Sequence, residues 1–138
     1  PGSYLCQACC AAMITGVGLQ YVLDRVKLHG AADGSGKKYL TNRETIRYLL
    51  DFNLCLGAFG RFHYVEMDDY PGIQIHELEK LPALVGVKSE HYPSAEHAVV
   101  WDPERKMILD PTKDEPQWLS TYKVYEWCTV TSLEQESL

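Results

Sequence analysis

Three side chains of this 138-residue chain have the types needed for nucleophilic thiol chemistry: Cys6, His97 and Asp110. Cys6 stands at the predicted first turn of an apolar helix, where unpaired N–H groups and the helix dipole favour a thiolate. A thiolate is the nucleophilic form, and generating it requires a base, usually histidine, and a group that orients the base. The residue types therefore predict a triad in which Cys6 is the nucleophile, His97 the base and Asp110 the orienting carboxylate.

His97 and Asp110 fall on the two arms of a predicted β-hairpin. If the connecting loop has two or four residues centred between positions 104 and 105, Val99 lies opposite Asp110. Because strand side chains alternate with a period of two, His97 shares a face with Val99 and is a diagonal neighbour of Asp110. This register selects Asp110 over Asp102 as the partner of His97, whereas a three- or five-residue loop would reverse the choice.

The elements that must position these residues follow from hydrophobic periodicity and turn signals. A buried helix is predicted over residues 6–15, an amphipathic helix over 19–28, and a third helix from a Thr41–Glu44 capping box to about Asn53, with Ile46, Leu49 and Leu50 facing inward. The remaining predictions are a short helix over 75–81 and strands over 62–67, 82–87, 98–101, 106–109 and 123–131. Helices come first and strands later, which is typical of an α+β domain.

Several segments also occur in a recognisable order. Residues 6–14 read CQACCAAMI, residues 81–85 LPALV, residues 96–100 EHAVV and residues 108–111 ILDP. Together with the helix that Thr41 begins, they resemble the C39-like cysteine peptidases of the papain-like superfamily. The resemblance implies a papain-like α+β fold, with N-terminal helices packed on a twisted antiparallel sheet.

The length of 138 residues predicts a single domain, and residues 1–3 look like the remnant of an expression tag. The resemblance implies that this domain, residues 1–138, is a papain-like cysteine hydrolase. It implies acyl transfer: His97 deprotonates Cys6, the thiolate attacks an amide carbonyl, and water or another amine resolves the thioester. Gln7 departs from the family, which usually has glycine after the nucleophile, and the family's oxyanion-hole glutamine would precede Pro1.

Two other functions share this pattern. A glutamine deamidase or transglutaminase-like effector or toxin domain would use the same triad on a target protein. A papain-like binding module would keep the fold without the activity. His91 is the alternative base, in a predicted loop.

Composition excludes several classes of protein. The formal net charge is −6 and the longest basic run is Lys37-Lys38, so we expect no nucleic-acid partner. No apolar run approaches the roughly 20 residues of a membrane span. The histidines lack metal-ligand spacing, and we expect no metal or cofactor.

The five cysteines indicate free thiols in a reducing compartment, because their number is odd and two are adjacent. Without a recognisable signal peptide, we expect a cytoplasmic protein or one delivered into the cytosol of a target cell. A protein or peptide substrate is the expected partner.

Overall fold

The computed structural model describes residues 5–27, 40–61, 80–90 and 96–133. These residues contain three α-helices and a five-stranded antiparallel sheet, which confirms the predicted α+β class. They form two compact units. The helices lie in the unit that runs to Cys55 and includes Ser132 and Leu133, and residues Leu56 to Thr131 form the other.

Helix α1 spans Cys6–Thr15, as predicted, and buries a stripe of small side chains. It ends at Gly16, whose left-handed φ of 75° suits glycine and lets its N–H bond the Ala12 carbonyl. Helix α2 spans Leu19–Arg25 and is three residues shorter than predicted, because Val26 already leaves helical geometry and Lys27 has a φ of 60°.

Helix α3 spans Asn42–Leu50 and begins with the predicted capping box. The Thr41 hydroxyl accepts from the Glu44 N–H, and the Glu44 carboxylate accepts from the Thr41 N–H. The predicted inward face is partly wrong: Leu49 is buried, but Ile46 and Leu50 are more than 40 % exposed. The buried positions beside Leu49 are Thr45 and Tyr48, which hydrogen bonds satisfy. The helix also ends before the predicted Asn53.

The sheet has the strand order β1-β5-β2-β3-β4. Its strands are β1 (Leu54–Arg61), β2 (Ala83–Lys88), β3 (Glu96–Asp102), β4 (Met107–Leu109) and β5 (Val124–Ser132). Strands β2 to β5 correspond to predicted strands, whereas β1 was not predicted. The predicted strand at 62–67 and nearly all of the predicted helix at 75–81 lie outside the described residues.

One face of β2, β3 and β4 builds the core of this unit. Val85, Val99, Trp101 and Ile108 are at most 2 % exposed and belong to one apolar cluster. β-Branched and aromatic side chains at alternate positions are what a half-buried pleated surface accepts best. This packing holds the register of the hairpin that carries His97.

No helix among the described residues is by itself long and apolar enough to cross a membrane. Helices α1 and α2 meet the criteria of length and composition only as a pair, and the pair is bent by 110°.

Candidate active site

The β3–β4 hairpin has the register that the sequence predicts. Val100 pairs with Leu109 and Asp102 with Met107, so four residues, 103–106, form the turn. The Asp102 carboxylate accepts the Glu104 N–H at 3.0 Å and thereby stabilises that turn. By the same register Asp110 follows opposite Val99, on the face that also carries His97.

His97 and Asp110 meet as this register requires. His97 Nε2 lies 2.7 Å from Asp110 Oδ1, and the exposed fractions of the two side chains are 17 % and 3 %. The predicted contact between these residues is therefore confirmed. Burying a carboxylate this deeply is unfavourable unless donors compensate it.

Four donors compensate the Asp110 charge. Oδ1 accepts His97 Nε2, the Thr112 N–H at 2.9 Å and the Thr112 hydroxyl at 2.8 Å, and Oδ2 accepts the Tyr122 hydroxyl at 2.7 Å. Burial alone would raise the pKa of Asp110, but the bonds from His97, Tyr122 and Thr112 outweigh it and hold that pKa well below its usual range. Asp110 is therefore ionised at neutral pH.

An ionised Asp110 determines the tautomer of His97. A carboxylate can only accept hydrogen bonds, so Nε2 must carry the hydrogen that lies between the two side chains. The neutral imidazole then has its lone pair on Nδ1, which is the atom that can take a proton. The couple thus has the chemistry of an oriented general base.

Sequence reasoning did not identify the two other partners of Asp110. Thr112 could have been predicted from its position two residues after Asp110. An aspartate often accepts the N–H of the second residue after it, which forms an Asx turn. Tyr122 had no local signal: it follows a 3-10 helix, Leu119–Thr121, and no periodicity links it to Asp110. Burial, followed by the bond to Asp110 and the charge of that residue, raises the pKa of Tyr122, so its hydroxyl is a permanent donor.

Cys6 belongs to the other unit, where it is the first residue of α1. The N-cap residue, Leu5, makes no capping bond through its side chain. A thiolate at this place would lie next to the N–H groups of the first turn, where the helix dipole stabilises a negative charge.

Gln7 ties α1 to α3. Its Nε2 donates to Asn42 Oδ1 at 2.9 Å and to Thr45 Oγ1 at 2.8 Å. Thr45 in turn donates to the Thr41 carbonyl. The glutamine that follows Cys6 therefore has a structural contact in this chain.

Two other thiols are disfavoured as nucleophiles. The pKa of Cys9 is raised mainly by burial and to a smaller extent by the charge of Cys6. Burial, together with the charge of Glu126, raises the pKa of Cys128 to about 11. A raised pKa means less thiolate at neutral pH and lower reactivity.

Within the described ranges, no three His, Cys, Asp or Glu side chains are arranged to hold a metal ion. The alternative base, His91, lies outside those ranges.

We found no protein-family model, curated protein or solved structure that matches the chain.

Proposed function

We propose that this protein is a cysteine-dependent hydrolase of C39-like, papain-like type that attacks an amide bond with Cys6, His97 and Asp110. The observation that carries the proposal is the buried bond of 2.7 Å between His97 Nε2 and Asp110 Oδ1. The nucleophile is assigned from the sequence, through the position of Cys6 in the family-like segment at the start of α1.

The proposed reaction begins with proton transfer from the Cys6 thiol to His97 Nδ1. The thiolate attacks the carbonyl carbon of the substrate amide, and the carbonyl π-bond shifts its electron pair to oxygen. When the tetrahedral intermediate collapses, the C–N bond breaks and His97 returns the proton to the leaving amine. Water then hydrolyses the thioester in the same way and regenerates the thiol.

Asp110 contributes charge and orientation in this reaction. Its carboxylate stabilises the imidazolium that forms when His97 accepts the thiol proton, and it directs the ring through Nε2. The deep burial of Asp110 strengthens this interaction, because water screens it less than at the surface.

The oxyanion of the tetrahedral intermediate requires hydrogen-bond donors. The backbone N–H of Cys6, in the first turn of α1, is one candidate. The Gln7 side chain is a poor second candidate, because its Nε2 already donates to Asn42 and Thr45.

Selective alkylation tests the proposal without a known substrate. We expect iodoacetamide at pH 7 to label Cys6 at least about tenfold faster than Cys9, because an activated thiolate outcompetes a partly buried thiol. Peptide mass spectrometry gives both rates in one sample. His97→Ala should remove most of the difference, whereas Asp102→Ala, on the same hairpin, should preserve it.

Equal labelling of Cys6 and Cys9 in the folded protein would contradict the proposal and favour a binding module. If Cys6 is selectively reactive, mass spectrometry of candidate targets separates the two enzymatic alternatives. A peptidase produces fragments, whereas a glutamine deamidase adds about 1 Da without shortening the chain, since thioester hydrolysis replaces an amide by an acid.

A further inference from the structure

The two oxygens of the Asp110 carboxylate are held by different parts of the chain. Oδ1 takes the donors of His97 and Thr112, and Oδ2 takes the hydroxyl of Tyr122 at 2.7 Å. A carboxylate bonded only through Oδ1 could still turn about its Cβ–Cγ bond, since this terminal torsion is soft. A second bond at Oδ2 fixes the plane of the group.

Tyr122 is itself held firmly. Its N–H donates to the Leu119 carbonyl at 3.1 Å, at the end of the 3-10 helix, and its side chain packs against the apolar cluster of the sheet. The next residue, Lys123, accepts the Lys88 N–H at 2.9 Å. The phenol therefore approaches Asp110 from a backbone segment anchored to the sheet.

We propose that Tyr122 is a positioning residue: its hydroxyl fixes the Asp110 carboxylate so that Oδ1 stays directed at His97 Nε2 and the neutral imidazole keeps its lone pair on Nδ1. The consequence for catalysis rests on the proposed function. The effect on the tautomer of His97 does not, because it follows from the hydrogen-bond geometry alone.

The test is the tautomer of His97 in the Tyr122→Phe variant, measured by ¹⁵N NMR of the histidine ring above its titration. In the unaltered protein we expect the proton on Nε2. In the variant we expect a mixture of the Nε2–H and Nδ1–H forms, because a carboxylate free to rotate directs the ring less strictly. We also expect alkylation of Cys6 to slow by about tenfold, less than the roughly hundredfold loss that a misplacement of a reacting group by about 1 Å can cause.

Tyr48→Phe is the matched control. Like Tyr122, Tyr48 is a tyrosine whose hydroxyl bonds another side chain, the Thr15 hydroxyl at 3.3 Å. Tyr48 is buried, whereas Tyr122 is partly buried, and Tyr48 lies in the helical unit. A purely structural role for Tyr122 predicts that both variants lose stability and neither changes the His97 tautomer. An unchanged tautomer in folded Tyr122→Phe would therefore overturn the proposal.

The outcome remains decidable if Tyr122→Phe does not fold. In the unaltered protein, the Tyr122 hydroxyl proton should exchange with water much more slowly than that of Tyr21, whose side chain is half exposed. Equally fast exchange would overturn the proposal, because the bond would not persist in solution. The proposed function fails by a different result, equal alkylation of Cys6 and Cys9, and that result would leave the tautomer measurement intact.

Discussion

Each of the two units has a buried polar side chain, and its hydrogen-bond partners differ in kind. In the helical unit, the buried Thr45 belongs to a neutral network with the partly buried Gln7 and the exposed Asn42, which joins α1 to α3. In the sheet unit, the buried side chain of Asp110 is charged and accepts hydrogen bonds from Thr112 nearby and from His97 and Tyr122 on two other segments. A neutral network contributes to stability at every pH, whereas a buried charge makes stability depend on protonation. The arrangement around Asp110 therefore makes the stability of the sheet unit depend on pH.

The largest effect is expected for Asp110→Ala. The substitution removes the acceptor of four donors and leaves His97, Thr112 and Tyr122 without it. We expect the free energy of unfolding to fall by about 3–5 kcal/mol, because several partly buried donors lose a charged acceptor and each unsatisfied group costs about 1–3 kcal/mol. Urea denaturation measures the loss.

Asp102→Ala is the control on the same hairpin. It removes an acceptor from a turn near the surface and should cost about 1 kcal/mol. Equal losses of unfolding free energy for the two variants would mean that the buried Asp110 contributes no more to stability than the carboxylate of the surface turn. The contrast between the two units would then not hold.

The pH dependence of stability sharpens the contrast. The pKa of Asp110 is lowered by folding, so its contribution is fully present above the unfolded pKa of about 3.9 and is lost as the pH falls from there towards the folded value. We expect the unfolding free energy of the unaltered protein to fall more steeply with acidification than that of Asp110→Asn. Urea titrations in steps from about pH 5 to about pH 2 follow the upper part of this window, where the loss begins. Parallel curves would show that folding leaves the pKa of Asp110 unchanged.

A smaller effect is expected for Gln7→Ala. Thr45 keeps its bond to the Thr41 carbonyl, so the variant should lose only about 1 kcal/mol of unfolding free energy. Because no charge is involved, the loss should be the same at every pH. Gln20→Ala is the control, since Gln20 bonds Asp24 on the exposed surface of α2 and should cost about 0.3 kcal/mol. A Gln7→Ala loss that grows with acidification would break the contrast between the units.

The parts of the site that the sequence predicts are those set by local rules. The contact between His97 and Asp110 follows from strand alternation and from a turn of even length. The start of α3 follows from the capping box at Thr41. Each rule involves residues close together in the chain, so no knowledge of tertiary packing was needed.

The parts that the sequence does not predict depend on contacts between distant segments. Tyr122 reaches Asp110 from an irregular segment, for which no periodic signal exists. Hydropathy alone placed Ile46 and Leu50 inside, whereas α3 buries Thr45 and Tyr48 because other helical residues supply their hydrogen bonds. Side-chain polarity is a poor guide to burial wherever a partner is present.

The turn at 103–106 has an even number of residues, and this even length places Asp110 on the same face of the sheet as His97. Displacing one arm of an antiparallel ribbon by a single position exchanges its upper and lower side chains. Such a slip would leave the composition untouched and still carry the carboxylate of Asp110 to the reverse side of the sheet, out of reach of the imidazole. Redesign of this connection should therefore preserve the pairing of Asp102 with Met107, and we expect its length to tolerate change more readily in steps of two than of one.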